Sequence, residues 1–404
     1  MAVNLAPPAA LTSIAGVTWS TAGAAIKSAE RDDIAVCWLA EGTTTAGVFT
    51  QNAFAAAPVM IARRHLTAVA PRALLINSGN ANAGTGIAGE QNALALCDQI
   101  ASARGFEQAE ILPFSTGVIG QALPMTRMAP ALSVLCDDDT DAGWLAAARA
   151  IMTTDTVAKG ASRRVDLGGG RSCDITGITK GSGMICPNMA TMLAFIATDA
   201  AIAEPDLHQA LVTANHASFN SITVDGDTST NDAAMLSATG QGVAIDRHDA
   251  GWARFVAALT DLMQELACAI VRDAEGATRF MDIHVAGAAD IDEARAVGFT
   301  VAQSPLFKTA AFAGDPNWGR ILAAVGRAPI DDLAIEGVDI AIGDVAIVAG
   351  GQPRPDYVEA EAAAVMAGSE FTIRVGLGRG DAETHVFTSD LSYEYVRINA
   401  EYRS

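Results

Sequence analysis

Lys180-Gly181-Ser182-Gly183-Met184-Ile185-Cys186-Pro187-Asn188-Met189-Ala190-Thr191-Met192-Leu193 is a glycine-rich, proline-containing approach to a threonine, and it leads into the apolar run 193–197. That run is bounded by polar residues and predicts a buried strand, which sets Thr191 at a strand's N-terminal tip. The small residues ahead of it permit an exposed turn. A threonine hydroxyl inside a chain is a poor nucleophile without a base. At a chain terminus it carries its own, an α-amino group with a reference pKa of about 7.7–8.0. A cut between Ala190 and Thr191 creates nucleophile and base together: the hydroxyl attacks the Ala190 carbonyl, shifting the chain from nitrogen to oxygen, and water releases the ester. On spacing alone, the plain start of a strand is the stronger reading of Thr191.

Outward from this stretch, residues 72–76 form a short apolar run ending in the turn-rich Asn77-Ser78-Gly79-Asn80-Ala81-Asn82-Ala83-Gly84. Ala93, Leu96, Cys97 and Ile100 then keep helical spacing, so the order is strand, loop, helix. Residues 164–167 and 171–179 predict two strands joined by the Gly168-Gly169-Gly170 turn. Trp252, Phe255, Val256, Leu259, Leu262, Met263, Leu266 and Ile270 make an apolar stripe at three- and four-residue spacing, which predicts a helix. It runs into Arg272-Asp273-Ala274-Glu275-Gly276, where Gly276 is the expected C-terminal stop. Helices and short strands alternate irregularly, favouring a mixed α/β or layered α+β fold.

At 404 residues the chain suits two intimately packed, interleaved domains. Lys plus Arg number 26 against 46 Asp plus Glu, and a net charge of −20 argues against nucleic-acid and anionic-lipid partners. The six cysteines form no CxxC pair, so neither a zinc site nor a disulfide framework is expected, and reduced thiols fit a cytoplasmic location. No basic-then-apolar leader opens the sequence, and no run approaches the roughly 18 apolar residues of a membrane span. Asp225, Asp227, Asn231 and Asp232 lack the closing glutamate of a calcium loop and are read as a structured turn that supports the site. The 77–84 loop lacks the lysine of a phosphate cradle, the histidines are isolated from nucleophile signatures, and Trp318 is read as a packing anchor.

The 180–193 run resembles the processing site of the ornithine acetyltransferase family, also called glutamate N-acetyltransferase, of arginine biosynthesis. The likeness continues through Gly47-Val48-Phe49-Thr50, the 77–84 loop, Ser115-Thr116-Gly117-Val118-Ile119-Gly120, Met152-Thr153-Thr154-Asp155-Thr156, residues 223–232, Asp273-Ala274-Glu275-Gly276, Asp315-Pro316-Asn317-Trp318-Gly319-Arg320 and the tail 399–404. It departs at Ala158, where many relatives have proline, and at Phe114, where small residues are commoner. The resemblance implies paired sheets covered by helices, a helix-sheet-sheet-helix layering like that of N-terminal nucleophile hydrolases. It implies a precursor that splits into an α chain, 1–190, and a β chain, 191–404, which stay associated as a heterotetramer of two α and two β chains.

The implied reaction is ping-pong. Acetyl passes from N2-acetylornithine to the Thr191 hydroxyl, ornithine leaves, and glutamate takes the acetyl to become N-acetylglutamate. One amide replaces another through an ester, so no cofactor and no metal is expected. Some family members also accept acetyl-CoA as donor, and no residue here decides that. By the same resemblance Thr116 and Gly117 match the oxyanion pair, Lys180 and Glu275 match charged substrate-contacting positions, and Thr153, Asn399 and Ser404 match further binding positions. The nearest rival is a self-processing aminopeptidase or amidohydrolase in which water resolves the acyl-enzyme. From another class, an uncleaved small-molecule-binding protein would keep the fold without the chemistry.

Overall fold

Alternation along the Ile34–Leu39 strand decides the first layer. Ile34 and Val36 turn to one buried face, and Ala35, Cys37 and Leu39 turn to the other. The same period-two split recurs in Ala73–Asn80, where Leu74 and Ile76 oppose Ala73 and Leu75. A sheet buried on both faces needs a cover on each. In this computed structural model the described residues are 2–27, 29–137, 140–186 and 192–401. Ala190, Thr191 and Ser404 therefore lie outside them.

The described chain divides into two units that interleave along the sequence, 7–220 with 228–270, and 1–6 with 221–227 and 271–404. The first contains a four-stranded sheet in the order Val17–Ala22, Ile34–Leu39, Ala73–Asn80, Ile111–Val118. It also contains a five-stranded sheet in the order Thr44–Phe49, Ala233–Ala238, Leu193–Thr198, Arg171–Lys180, Lys159–Gly168. The inner faces share one core, in which Trp19, Leu74, Ile76, Leu112 and Phe114 of the first sheet meet Ile178, Phe195 and Met235 of the second. Phe195 stacks edge-on against Phe114 at 5.2 Å and Trp19 at 6.1 Å, so Phe114 ties sheet to sheet.

Helices cover the outside. Leu96, Cys97 and Ile100 of the Gly86–Arg104 helix and Met128 and Leu132 of Met125–Asp137 cover Val36 and Leu75. On the far face, Leu262 and Leu266 of Trp252–Arg272 lie over Gly177 and Ile196. The layering is helix, sheet, sheet, helix, as the resemblance implies. The anticipated strand pair around Gly168-Gly169-Gly170, the buried strand at Leu193 and the helix on the Trp252 stripe all form. Leu193–Thr198 is interior to its sheet, antiparallel to Arg171–Lys180 on one side and parallel to Ala233–Ala238 on the other.

Two boundaries differ from expectation. The first strand of the strand-loop-helix unit runs on through Asn77-Ser78-Gly79-Asn80, because those polar groups find partners inside the fold. Gly276 does not stop the long helix, which ends at Arg272. At φ +71° its absent side chain instead lets the Tyr395 amide approach, since a Cβ there would lie 2.5 Å from that nitrogen.

The second unit has one seven-stranded sheet, with Phe280–Ala288 between Glu370–Gly376 and Ala382–Ser389. Met281, Ile283 and Val285 pack with Val297 and Val301 of Ile291–Ala302 in its core, and Trp318 packs against that core as anticipated. Lys308, in Pro305–Ala313, is buried here, its Nζ donating to Thr388 Oγ1 at 2.8 Å and to the Ser389 carbonyl. Burial brings its pKa down from 10.5 to about 7, against the opposing pull of Asp390 and Asp225. The unfolded chain therefore binds more protons than the folded one between about pH 7 and 10.5, so this group makes stability rise with pH across that window. From pH 7 to 8.5, wild type should gain about 2 kcal/mol relative to Lys308→Met. Denaturant melts of both proteins across that range check it, and a constant difference would contradict the assignment.

Candidate functional site

Lys180 closes the Arg171–Lys180 strand opposite Leu193, which places it beside the strand that Thr191 precedes. It is buried, and its Nζ donates to Thr116 Oγ1 at 3.2 Å. Thr116 and Gly117 stand at the end of Ile111–Val118, so strand ends from both sheets of the first unit meet at this contact. With its oxygen taken by the ammonium, the Thr116 hydroxyl keeps its own proton to donate, and that proton is polarised by the nearby charge.

A buried ammonium needs a counter-charge. Asp155, whose side chain is wholly buried, lies 3.9 Å from Lys180 Nζ and 2.7 Å from Lys159 Nζ. It also accepts the Gly181 amide at 2.7 Å and the Thr153 amide at 2.9 Å, fastening the segment that carries Thr153 to the turn after Lys180. Burial alone would raise its pKa, but Lys159, Lys180 and these hydrogen bonds outweigh that and hold the carboxyl well below the usual range. Asp155 thus stands against two lysine side chains. A second buried acid, Asp232, belongs to the same unit, and burial pushes its carboxyl well above the ordinary range against hydrogen bonds from Ser229 and the Met192 amide and the pull of Lys180. Its Oδ2 has no hydrogen-bond partner among the described residues.

Gly117 has φ +135°, and a Cβ on it would fall 2.3 Å from the Gly79 carbonyl carbon and 2.5 Å from the Asn80 nitrogen. Backbone occupies the space, so only glycine fits. Asparagine side chains brace the same strand ends: Ser115 Oγ donates to Asn77 Oδ1 at 2.6 Å, and Asn231 Nδ2 donates to the Ala81 and Ser115 carbonyls at 2.6 and 2.9 Å. The acidic stretch expected to support the site is thus divided. Asn231 and Asp232 serve this unit, whereas Asp225 belongs to the second, where it accepts the Tyr395 hydroxyl at 3.2 Å.

Glu275 and Asn399 also belong to the second unit. Asn399, in Tyr393–Ala400, donates from Nδ2 to Glu275 Oε2 at 2.8 Å, so those two anticipated binding residues touch. Thr116, Gly117, Thr153 and Lys180 form the other group. Sequence reasoning missed Asp155 and Lys159 as its electrostatic frame, although Asp155 lies within the quoted 152–156 segment. No described helix is long and apolar enough to cross a membrane.

The ArgJ family model matches residues 18–404. The arginine biosynthesis bifunctional protein ArgJ of Methylococcus capsulatus is 54% identical over 98% of this chain and 97% of its own length. The protein of that name from Pseudomonas fluorescens is 49% identical over the whole of both chains. Among solved structures, the arginine biosynthesis bifunctional protein ArgJ of Bacillus halodurans shares 39% identity with a TM-score of 0.50, over 52% of this chain and all of that one.

Proposed function

The chain belongs to the ArgJ family and is an enzyme of arginine biosynthesis, an ornithine acetyltransferase, and from that premise we propose that it carries acetyl as an ester on Thr191. Self-cleavage between Ala190 and Thr191 frees the threonine amine. The Thr191 hydroxyl then attacks the acetyl carbonyl of N2-acetylornithine, its proton passing to the amine and on to the departing ornithine nitrogen. The glutamate amine attacks the resulting ester, N-acetylglutamate leaves, and the hydroxyl recovers its proton.

The observation that carries this reading is the contact of the buried Lys180 with Thr116, beside Asp155, at the strand ends next to residue 192. A polarised hydroxyl there suits a tetrahedral oxyanion, and the Gly117 amide is its proposed companion. The charge of Lys180 suits a substrate carboxylate. We assign Thr153 to the same pocket and Glu275, Asn399 and Ser404 to substrate binding. The sheet supports lasting association of the α and β chains, because Leu193–Thr198 remains paired with Arg171–Lys180 on the other side of the cut. We propose two α and two β chains in the assembly.

Incubation with N2-acetylornithine tests the reaction. Without glutamate, one equivalent of ornithine per enzyme and then arrest is expected; with glutamate, ornithine and N-acetylglutamate should accumulate in equal amounts. Continuous acetate release without glutamate would instead identify an amidohydrolase.

A further inference from the structure

Asp232 directly precedes the Ala233–Ala238 strand, and its backbone is pinned from both sides. Its carbonyl accepts the Thr50 amide at 3.0 Å, and the amide of the next residue, Ala233, donates to the Met192 carbonyl at 3.0 Å. The residue before it, Asn231, braces the strand carrying Thr116 and Gly117 through the Ser115 carbonyl. Residues 231 and 232 therefore join that strand to the one that Thr191 precedes.

The side chain of Asp232 turns to the same place. Its buried carboxyl accepts the Met192 amide, so Asp232 and Ala233 together hold Met192 by both its N–H and its carbonyl. Yet Oδ2 of that carboxyl is buried with no hydrogen-bond partner among the described residues. An oxygen so placed is costly unless something donates to it.

Cleavage creates a donor there. Neighbouring backbone nitrogens are three bonds and less than about 4 Å apart. A carboxyl that holds the Met192 amide by one oxygen therefore has the other within reach of the nitrogen before it. In an intact chain that nitrogen is an amide; after the cut it is an amine, with N–H groups to donate and a lone pair.

On the reading of Thr191 as the freed nucleophile, we propose that Asp232 is the positioning residue of its amine: Oδ2 accepts one N–H and so turns the lone pair to the Thr191 hydroxyl. The lone pair takes the hydroxyl proton as the oxygen attacks the acetyl carbonyl. The ammonium so formed stays paired with Oδ2 until a proton passes to the departing ornithine nitrogen. Without that donor, burial pushes the carboxyl above its ordinary range; a cation beside it favours the carboxylate.

Asp232→Asn in the full chain tests this. The asparagine keeps an oxygen for the Met192 amide and puts an NH2 where Oδ2 stands, so it rescues a role in folding and removes the acceptor. Thermal melts, the fraction of chain cut between Ala190 and Thr191, and kinetics per cut chain are the readouts. A melting temperature near that of wild type is expected. With it, kcat for acetyl transfer should fall at least about tenfold, while KM for N2-acetylornithine moves less than about twofold. The same nitrogen leaves the Ala190 carbonyl during the cut, so a folded variant that stays whole also supports the role. Asp232→Ala, which loses the hold on Met192 as well, should melt lower. An asparagine variant cut and turning over like wild type would overturn the proposal, and one melting far below wild type would make Asp232 structural and overturn it too. Wild type that is itself uncut, or cut without ever carrying acetyl, would instead bring down the reading of Thr191, and this proposal with it.

Discussion

Thr116→Ala is expected to lower the turnover of acetyl transfer by about 10²–10³-fold, the usual cost of losing one oxyanion donor. The residue is partly exposed and its side chain meets the Lys180 ammonium at 3.2 Å, so its removal opens no large core void. Stability should change by less than about 1 kcal/mol. Lys180 keeps Asp155 as a counter-charge, which limits the damage to the hydroxyl itself. Steady-state kinetics beside a thermal melt checks this. Unchanged turnover would move the oxyanion role elsewhere, and a collapse of the fold would make Thr116 structural.

Gly117→Ala should do more, and by another route. The added methyl would meet the Gly79 and Asn80 backbone at 2.3 and 2.5 Å in a conformation, φ +135°, that L-residues avoid. No flexible side chain can yield there, so the strand ends must separate. A stability loss of about 3 kcal/mol or more and transfer below detection are expected. Denaturant unfolding and the ornithine-release assay read the two effects, and a variant with normal stability and activity would refute the close approach of these strands.

Much of this architecture was legible as periodicity. The Trp252 stripe, the apolar run at Leu193 and the paired runs around Gly168-Gly169-Gly170 are local patterns, and each formed its element. What escaped depends on partners distant in sequence. Asn77 and Asn80 looked like turn residues, yet hydrogen bonds to Ser115, Gln121 and Ala122 let the strand and its loop keep them buried. Gly276 sat where a helix stop is expected, and its real constraint is the backbone at Tyr395.

The candidate site was legible only through resemblance. Thr116 and Lys180 are 64 residues apart, and nothing in their spacing brings a hydroxyl to an ammonium. Asp155 sat in a family-like segment without any sign of its role, because a buried counter-charge is defined by Lys159 and Lys180 on two neighbouring strands and by the amides of Thr153 and Gly181. Burial also reverses intuition at Asp232, where an acid near a lysine has its pKa raised instead of lowered. Charge state follows from packing, which sequence alone does not display.

The central claim is that Thr191 becomes a chain terminus and then the acetyl carrier. Denaturing mass spectrometry of freshly expressed wild type beside Thr191→Ala tests it most directly. Two wild-type fragments, 1–190 and 191–404, are expected, with one acetyl group added to the second after brief exposure to N2-acetylornithine, while the variant stays whole and unmodified. A single intact wild-type chain would leave Thr191 without a free amine and contradict the account.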